Sequence, residues 1–211
     1  MVVGLFTSAT FSSTVRIAAR GVNFSIIGHI QRWREVTIAY AMVGGMSAGF
    51  LTSIVGALEE HGGVVESTSP LIFSMMGTAG MISAPLAGAG SDRIGRFVVL
   101  RYTLGLLFIA TRCVVAGGQA ATIARALLCS AGACTVPAII AAHVRDSLDN
   151  RLFSQALGTM TILFPIMAAA MPAIVGALAD APFAWSYLTL AALPLIALTF
   201  LQRSVADTQS P

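Results

Sequence analysis

LAGAGSDRIGRFVVLR (residues 86–101) sets one Asp and three Arg inside a chain that is otherwise apolar for long distances on both sides. The rest of the sequence explains why charge is concentrated there. Of 211 residues 56% are hydrophobic and only 10% charged, with a mean hydropathy of +0.85. A soluble domain carries about 25% charged residues, and nine acids with twelve bases cannot coat a globule of this size. The composition is that of a membrane protein. All twelve bases are Arg. The net charge of +3 would suggest a nucleic-acid partner in a soluble chain, but the arginines are scattered over short links, so they report orientation in a bilayer instead.

A helix needs about 20 apolar residues to cross roughly 30 Å of hydrocarbon. Six stretches qualify: 36–58, 68–90, 97–117, 120–142, 152–178 and 183–201. The predicted fold is therefore all-α, a polytopic bundle of six transmembrane helices over residues 36–203 with a tail at 204–211. The links are short, which makes sequence neighbours antiparallel. The opening stretch is the link between the second and third spans. Counting Arg by side places Arg16, Arg20, Arg32, Arg34, Arg93, Arg96, Arg101, Arg145, Arg151 and Arg203 together. Glu59, Glu60, Glu66 and Asp180 fall on the other side. By the positive-inside rule both termini face the cytoplasm, and the expected location is the inner (plasma) membrane. Residues 1–35 read as a truncated helix remnant and a basic cytoplasmic linker, with VNFSIIGHIQRW (22–33) as an amphipathic helix on the membrane surface.

The run Gly88-Ala89-Gly90-Ser91-Asp92-Arg93-Ile94-Gly95-Arg96 resembles the signature loop of the major facilitator superfamily, which joins the second and third helices of a six-helix half on the cytoplasmic side. It departs from the pattern at Gly90, where Leu is usual, and at Phe97, where a second basic residue is usual. The resemblance implies half of a major-facilitator fold. It also implies a gating role for Gly88, Asp92, Arg93, Gly95 and Arg96, with Asp92 accepting hydrogen bonds from backbone N–H groups or an arginine of a neighbouring helix. Gly88 and Gly95 would permit a close approach and a tight turn. The implied activity is secondary active transport of a small solute by alternating access, as part of a twelve-helix unit.

The missing partner would be a second six-helix half or a second copy of the chain. The basic linker, the short tail and GALAD at 176–180 favour the C-terminal half. Arg125 in the fourth span instead resembles the basic residue of proton-coupled antiporter N-terminal halves, which leaves protons as a candidate coupling ion. A non-transporting membrane protein or assembly partner is the alternative class.

Intramembrane ionisable groups are the default functional sites in a bilayer. The spans contain no carboxylate, and Arg125 and Arg112 lie near the outer boundary, where snorkelling accounts for them equally well. Mid-span polarity supplies the other candidates for a transport path beside Arg125: Tyr40, Thr52, Ser74, Thr135, Thr159 and Thr161. His143 sits at the cytoplasmic end of the fourth span beside Arg145 and Asp146. Cys113, Cys129 and Cys134 read as small buried residues with no metal spacing. No phosphate-binding loop, nucleophile grouping or ligand cluster appears, so neither enzymatic chemistry nor a cofactor is expected. Small residues at four-residue spacing, Gly45-Gly49-Ser53 and Ala169-Ala173-Ala177, are expected to let helices pack closely. Pro165 and Pro172 should bend the fifth span and Pro85 the second.

Overall fold

The computed structural model describes residues 27–61, 63–112, 118–178 and 183–207, and every regular element among them is helical. In chain order these are α1 (Trp33–Gly56), α2 (Ser69–Ile94), α3 (Arg96–Arg112), α4 (Gln119–Ser147), α5 (Asn150–Met160), α6 (Leu163–Ala177) and α7 (Phe183–Asp207). A π-helical turn, Ala57–His61, finishes α1, and a 3-10 turn, Glu66–Thr68, leads into α2. Pro70 sits in the first turn of α2, where a missing N–H costs nothing. The expected amphipathic helix at 22–33 lies partly outside the described residues. Its described part is not a surface helix, because Ile27 and Ile30 are buried against the bundle.

Five segments are long and apolar enough to cross a membrane: Trp33–Glu59, Glu66–Ile94, Gln119–Ser147, Arg151–Ala177 and Ala184–Gln202. They account for five of the six expected spans. The exception is α3, which has 17 residues and carries Arg96, Arg101 and Arg112. Residues 113–117, with which the expected third span ended, lie outside the described residues.

The fifth span is broken in the middle. After α5 the chain turns at Thr161 and Ile162 before α6 resumes at Leu163. Pro165 supplies the cause: it has no N–H to donate, and its ring crowds the carbonyl four residues back, that of Thr161. That carbonyl instead accepts from the Phe164 N–H at 3.1 Å. By contrast α2 and α6 run unbroken through Pro85 and Pro172.

Helix pairing is specific. The most extensive contacts are α2 with α4 and α1 with α6, followed by α1 with α7, α3 with α7 and α3 with α4, and then by α1 with α4. Glycines set the approach of α1 and α6. A Cβ on Gly44 would stand 2.6 Å from the Phe164 ring, and one on Gly45 2.8 Å from Met171. Gly49 admits Leu190 of α7 in the same way. The α2–α4 pair is clamped by hydroxyl-to-carbonyl bonds in both directions, Ser130 Oγ to Met76 O and Ser83 Oγ to Ala131 O, each 2.8 Å. Between them Gly80 receives Cys134 Sγ. With lipid as solvent, such close packing and interhelical hydrogen bonds take over the role that hydrophobic burial plays in water.

The Gly45-Gly49-Ser53 stripe thus packs as its spacing predicts, but Ala169, Ala173 and Ala177 are exposed. On α6 it is Met171 and Val175 that face the bundle, because the glycine face of α1 leaves room for large side chains and not for small ones. The core is built around α1, whose span is 61% buried, while α2 and the fifth span are only 17% and 11% buried. Leu100, Leu104 and Leu107 of α3 join Val136, Ile139 and Ile140 of α4 in that core.

Candidate functional site

The loop at 88–96 lies at the end of the bundle where α2 finishes, α3 begins and α4 finishes. Only Gly95 separates α2 from α3. Its φ of +101° lies in a region that side-chain-bearing residues rarely adopt, so the turn requires glycine. A Cβ on Gly88 would meet nothing within 4 Å among the described residues.

Arg96 is the centre of the site. Its guanidinium donates through Nη2 to Asp92 Oδ1 at 2.5 Å, through Nη1 to Ser91 Oγ at 2.6 Å and through Nε to Asp146 Oδ2 at 2.9 Å. One planar fork therefore joins the last turn of α2 to the last turn of α4. The Arg96 side chain is 19% exposed, whereas those of Asp92 and Asp146 are 59% and 55% exposed. The cation is held inside and the two carboxylates form the wet rim. Arg93 is exposed. Beside this cluster an open groove of about 540 Å³ is walled by Gly88, Ala89, Ala141 and Ala142, with Phe153 of α5 and Arg145 at its margin. Asp146 was not singled out as a partner from sequence. The signal available was an acid directly after Arg145 at the end of a span that holds no other carboxylate.

Behind the loop, His143 is buried and its Nε2 donates to the Gln31 carbonyl at 3.0 Å. Arg32 lies beside it. Burial lowers the Arg32 pKa, Glu35 raises it and Arg101 lowers it further, but a guanidinium remains charged.

The mid-span candidates are not gathered into one pocket. Tyr40 is half-buried and stacks on Phe164 with ring centroids 4.8 Å apart. Thr52 and Ser74 are exposed, and their hydroxyls donate to Gly49 O and Pro70 O on their own helices at 2.8 and 3.0 Å. Thr135 and Thr159 are buried, and Thr159 donates to Gln155 O at 2.8 Å. Thr161 sits at the break in the fifth span and donates to Gly158 O at 2.9 Å. Arg125 is half-buried, and its Nη1 is buried with no hydrogen-bond partner among the described residues. Most of these hydroxyls satisfy carbonyls one turn back, as Ser and Thr do in apolar surroundings. Cys129 is buried, as expected, but Cys134 is exposed on the open side of Gly80; Cys113 lies outside the described residues.

A chain of long apolar helices, closely packed through glycines and hydroxyls, with most of its described arginines at one end, defines a multi-pass helical membrane protein. Over 152 residues, 72% of the chain, it is 30% identical to a Streptomyces coelicolor protein described as a probable transporter. The match spans about a third of that protein's length, 34%. No protein-family profile matches the chain. The chain is thus similar to a transporter in sequence, and its apolar helices agree with a role in membrane transport.

Proposed function

We propose that the chain is one six-helix half of a secondary transporter of the major-facilitator type, carrying a small solute by alternating access as part of a twelve-helix unit. The order of helix contacts supports this most strongly. If α1 is exchanged with α4, α2 with the α5–α6 span and α3 with α7, the pairing α2·α4 becomes α1·α6, and α1·α7 becomes α3·α4. The pairings α1·α4 and α3·α7 map onto themselves. Because α1 starts at the arginine-rich end and α4 finishes there, the two triplets have inverted topology. Nested three-plus-three inverted repeats are the internal pattern of a major-facilitator half.

In this reading the arginine-rich end is cytoplasmic, in the inner membrane, and Arg96 latches the inner ends of α2, α3 and α4 while they are together. Separation of those ends would first expose Asp92 and Asp146 as unpaired carboxylates, and the fork gives the closed arrangement its specific geometry. The second body would be another six-helix half or a second copy, seated on the little-buried faces of α2 and the fifth span. Tyr40, Thr161 and Arg125 are the groups proposed to meet solute or, for Arg125, to take part in proton coupling.

A chimera tests the proposal: this chain replaces the matched region of the Streptomyces protein, and both are assayed in proteoliposomes with solutes that the parent carries. The chimera is expected to retain saturable uptake, and Arg96→Ala is expected to lower its maximal rate more than its apparent affinity, because Arg96 touches the gate and not the solute. Loss of uptake in a folded chimera while the parent remains active contradicts it.

A further inference from the structure

Residues 27–32 do not merely lead into α1. Ile27 and Ile30 are 3% and 2% exposed, with the Ile30 N–H bonded to Ile27 O at 2.9 Å, so the segment is pressed down on the bundle in a turn. Two groups, one carbonyl and one guanidinium, then reach three helices. The Gln31 carbonyl accepts from His143 of α4 at 3.0 Å. Arg32 Nη2 donates to the Leu201 carbonyl of α7 at 2.7 Å. The same guanidinium lies 4.7 Å from the centre of the Phe97 ring of α3, and that ring meets the His143 ring edge-on with centroids 4.8 Å apart. Beneath them Val36, Leu100, Ile139 and Ile140 enclose a space too small to admit water. Arg32 has φ +60°, the one positive value at a non-glycine among the described residues. Such a backbone persists where the surroundings hold it in place.

We infer that residues 27–32 form a strap that locks the arginine-rich ends of α3, α4 and α7 together, with Arg32 as its key, so that those ends part only when the strap lifts. Phe97 directly follows Arg96, and His143 lies one turn before Asp146. The strap therefore grips the same turns of α3 and α4 as the Asp92–Arg96–Asp146 cluster. Its consequence for gating rests on the transporter reading, but the lock itself does not.

Hydrogen exchange of the 211-residue chain in lipid nanodiscs tests the lock without any solute. Arg32→Ala is expected to speed amide exchange about tenfold or more in 98–104 of α3 and 139–146 of α4, while 122–129 at the far end of α4 is unchanged. Arg32→Gly, which relieves the backbone but removes the same contacts, is expected to match Arg32→Ala. Phe97→Leu, which keeps an apolar side chain and removes the ring, should give the same local pattern more weakly. Unchanged exchange in Arg32→Ala, wild-type exchange in Arg32→Gly, or a uniform rise through all helices overturns the strap. A negative result here leaves the chimera's transport untouched, and a chimera that fails to transport leaves this pattern standing.

Discussion

At the scale of single residues, Arg96 is the position on which the end of the bundle depends. It holds Ser91, Asp92 and Asp146 with three different nitrogens. Arg96→Ala removes all three bonds and leaves Ser91, which is 1% exposed, without that donor. Both carboxylates are more than half exposed, so water recovers part of the loss and the expected cost is about 1–2 kcal/mol. Asp146→Asn should cost less, roughly 0.2–1 kcal/mol. Thermal unfolding in detergent micelles checks the order, and a double-mutant cycle between Arg96 and Asp146 should give a nonzero coupling. Asp92 and Arg96 were legible in sequence as neighbours in one loop. Asp146 was not, because its partner lies 50 residues away and only the fold brings the ends of α2 and α4 together.

At the scale of elements, two features decide how the helices sit. The first is glycine where backbones approach. Gly44→Val must displace the Phe164 ring, which a Cβ would meet at 2.6 Å, and should destabilise by roughly 1–3 kcal/mol through overpacking. Gly77→Ala, in α2, would meet nothing within 4 Å and should be neutral or stabilising by about 0.5–1 kcal/mol, since alanine is the better helix former. Finding the two equally destabilising by thermal unfolding would contradict the packing described. The second feature is the break at Thr161 and Ile162. Pro165→Ala supplies the missing N–H and is expected to join α5 to α6, seen as new exchange protection at residue 165. Small-residue spacing foretold the glycine face of α1 but not the direction of the alanine stripe on α6. Spacing shows that a stripe exists, whereas its direction depends on which partner face has room, and α1 offers its room to Met171 and Phe164. The proline bend was legible in type. That it would interrupt the fifth span while Pro85 and Pro172 leave their helices unbroken depends on neighbours that sequence does not reveal.

At the scale of the whole molecule, hydropathy made the helical bundle legible, because a bilayer tolerates few alternatives to apolar helices. The third helix carries Arg96, Arg101 and Arg112 and packs on α4 and α7. The mid-span site was the least legible part: polar residues were found, but their hydroxyls turn to their own helices. In the proposed reading the site is shared between two bodies, and one body does not complete it. The faces of α2 and of the fifth span are left largely uncovered, which a second six-helix body would cover. The measurement that tests this most directly is uptake by the purified chain alone, reconstituted at no more than one copy per vesicle, with a solute that the chimera carries. The expected result is a leak that is linear in solute concentration and indifferent to an imposed gradient. Saturable, gradient-driven uptake by single copies would contradict the claim that this bundle is half of a transporter.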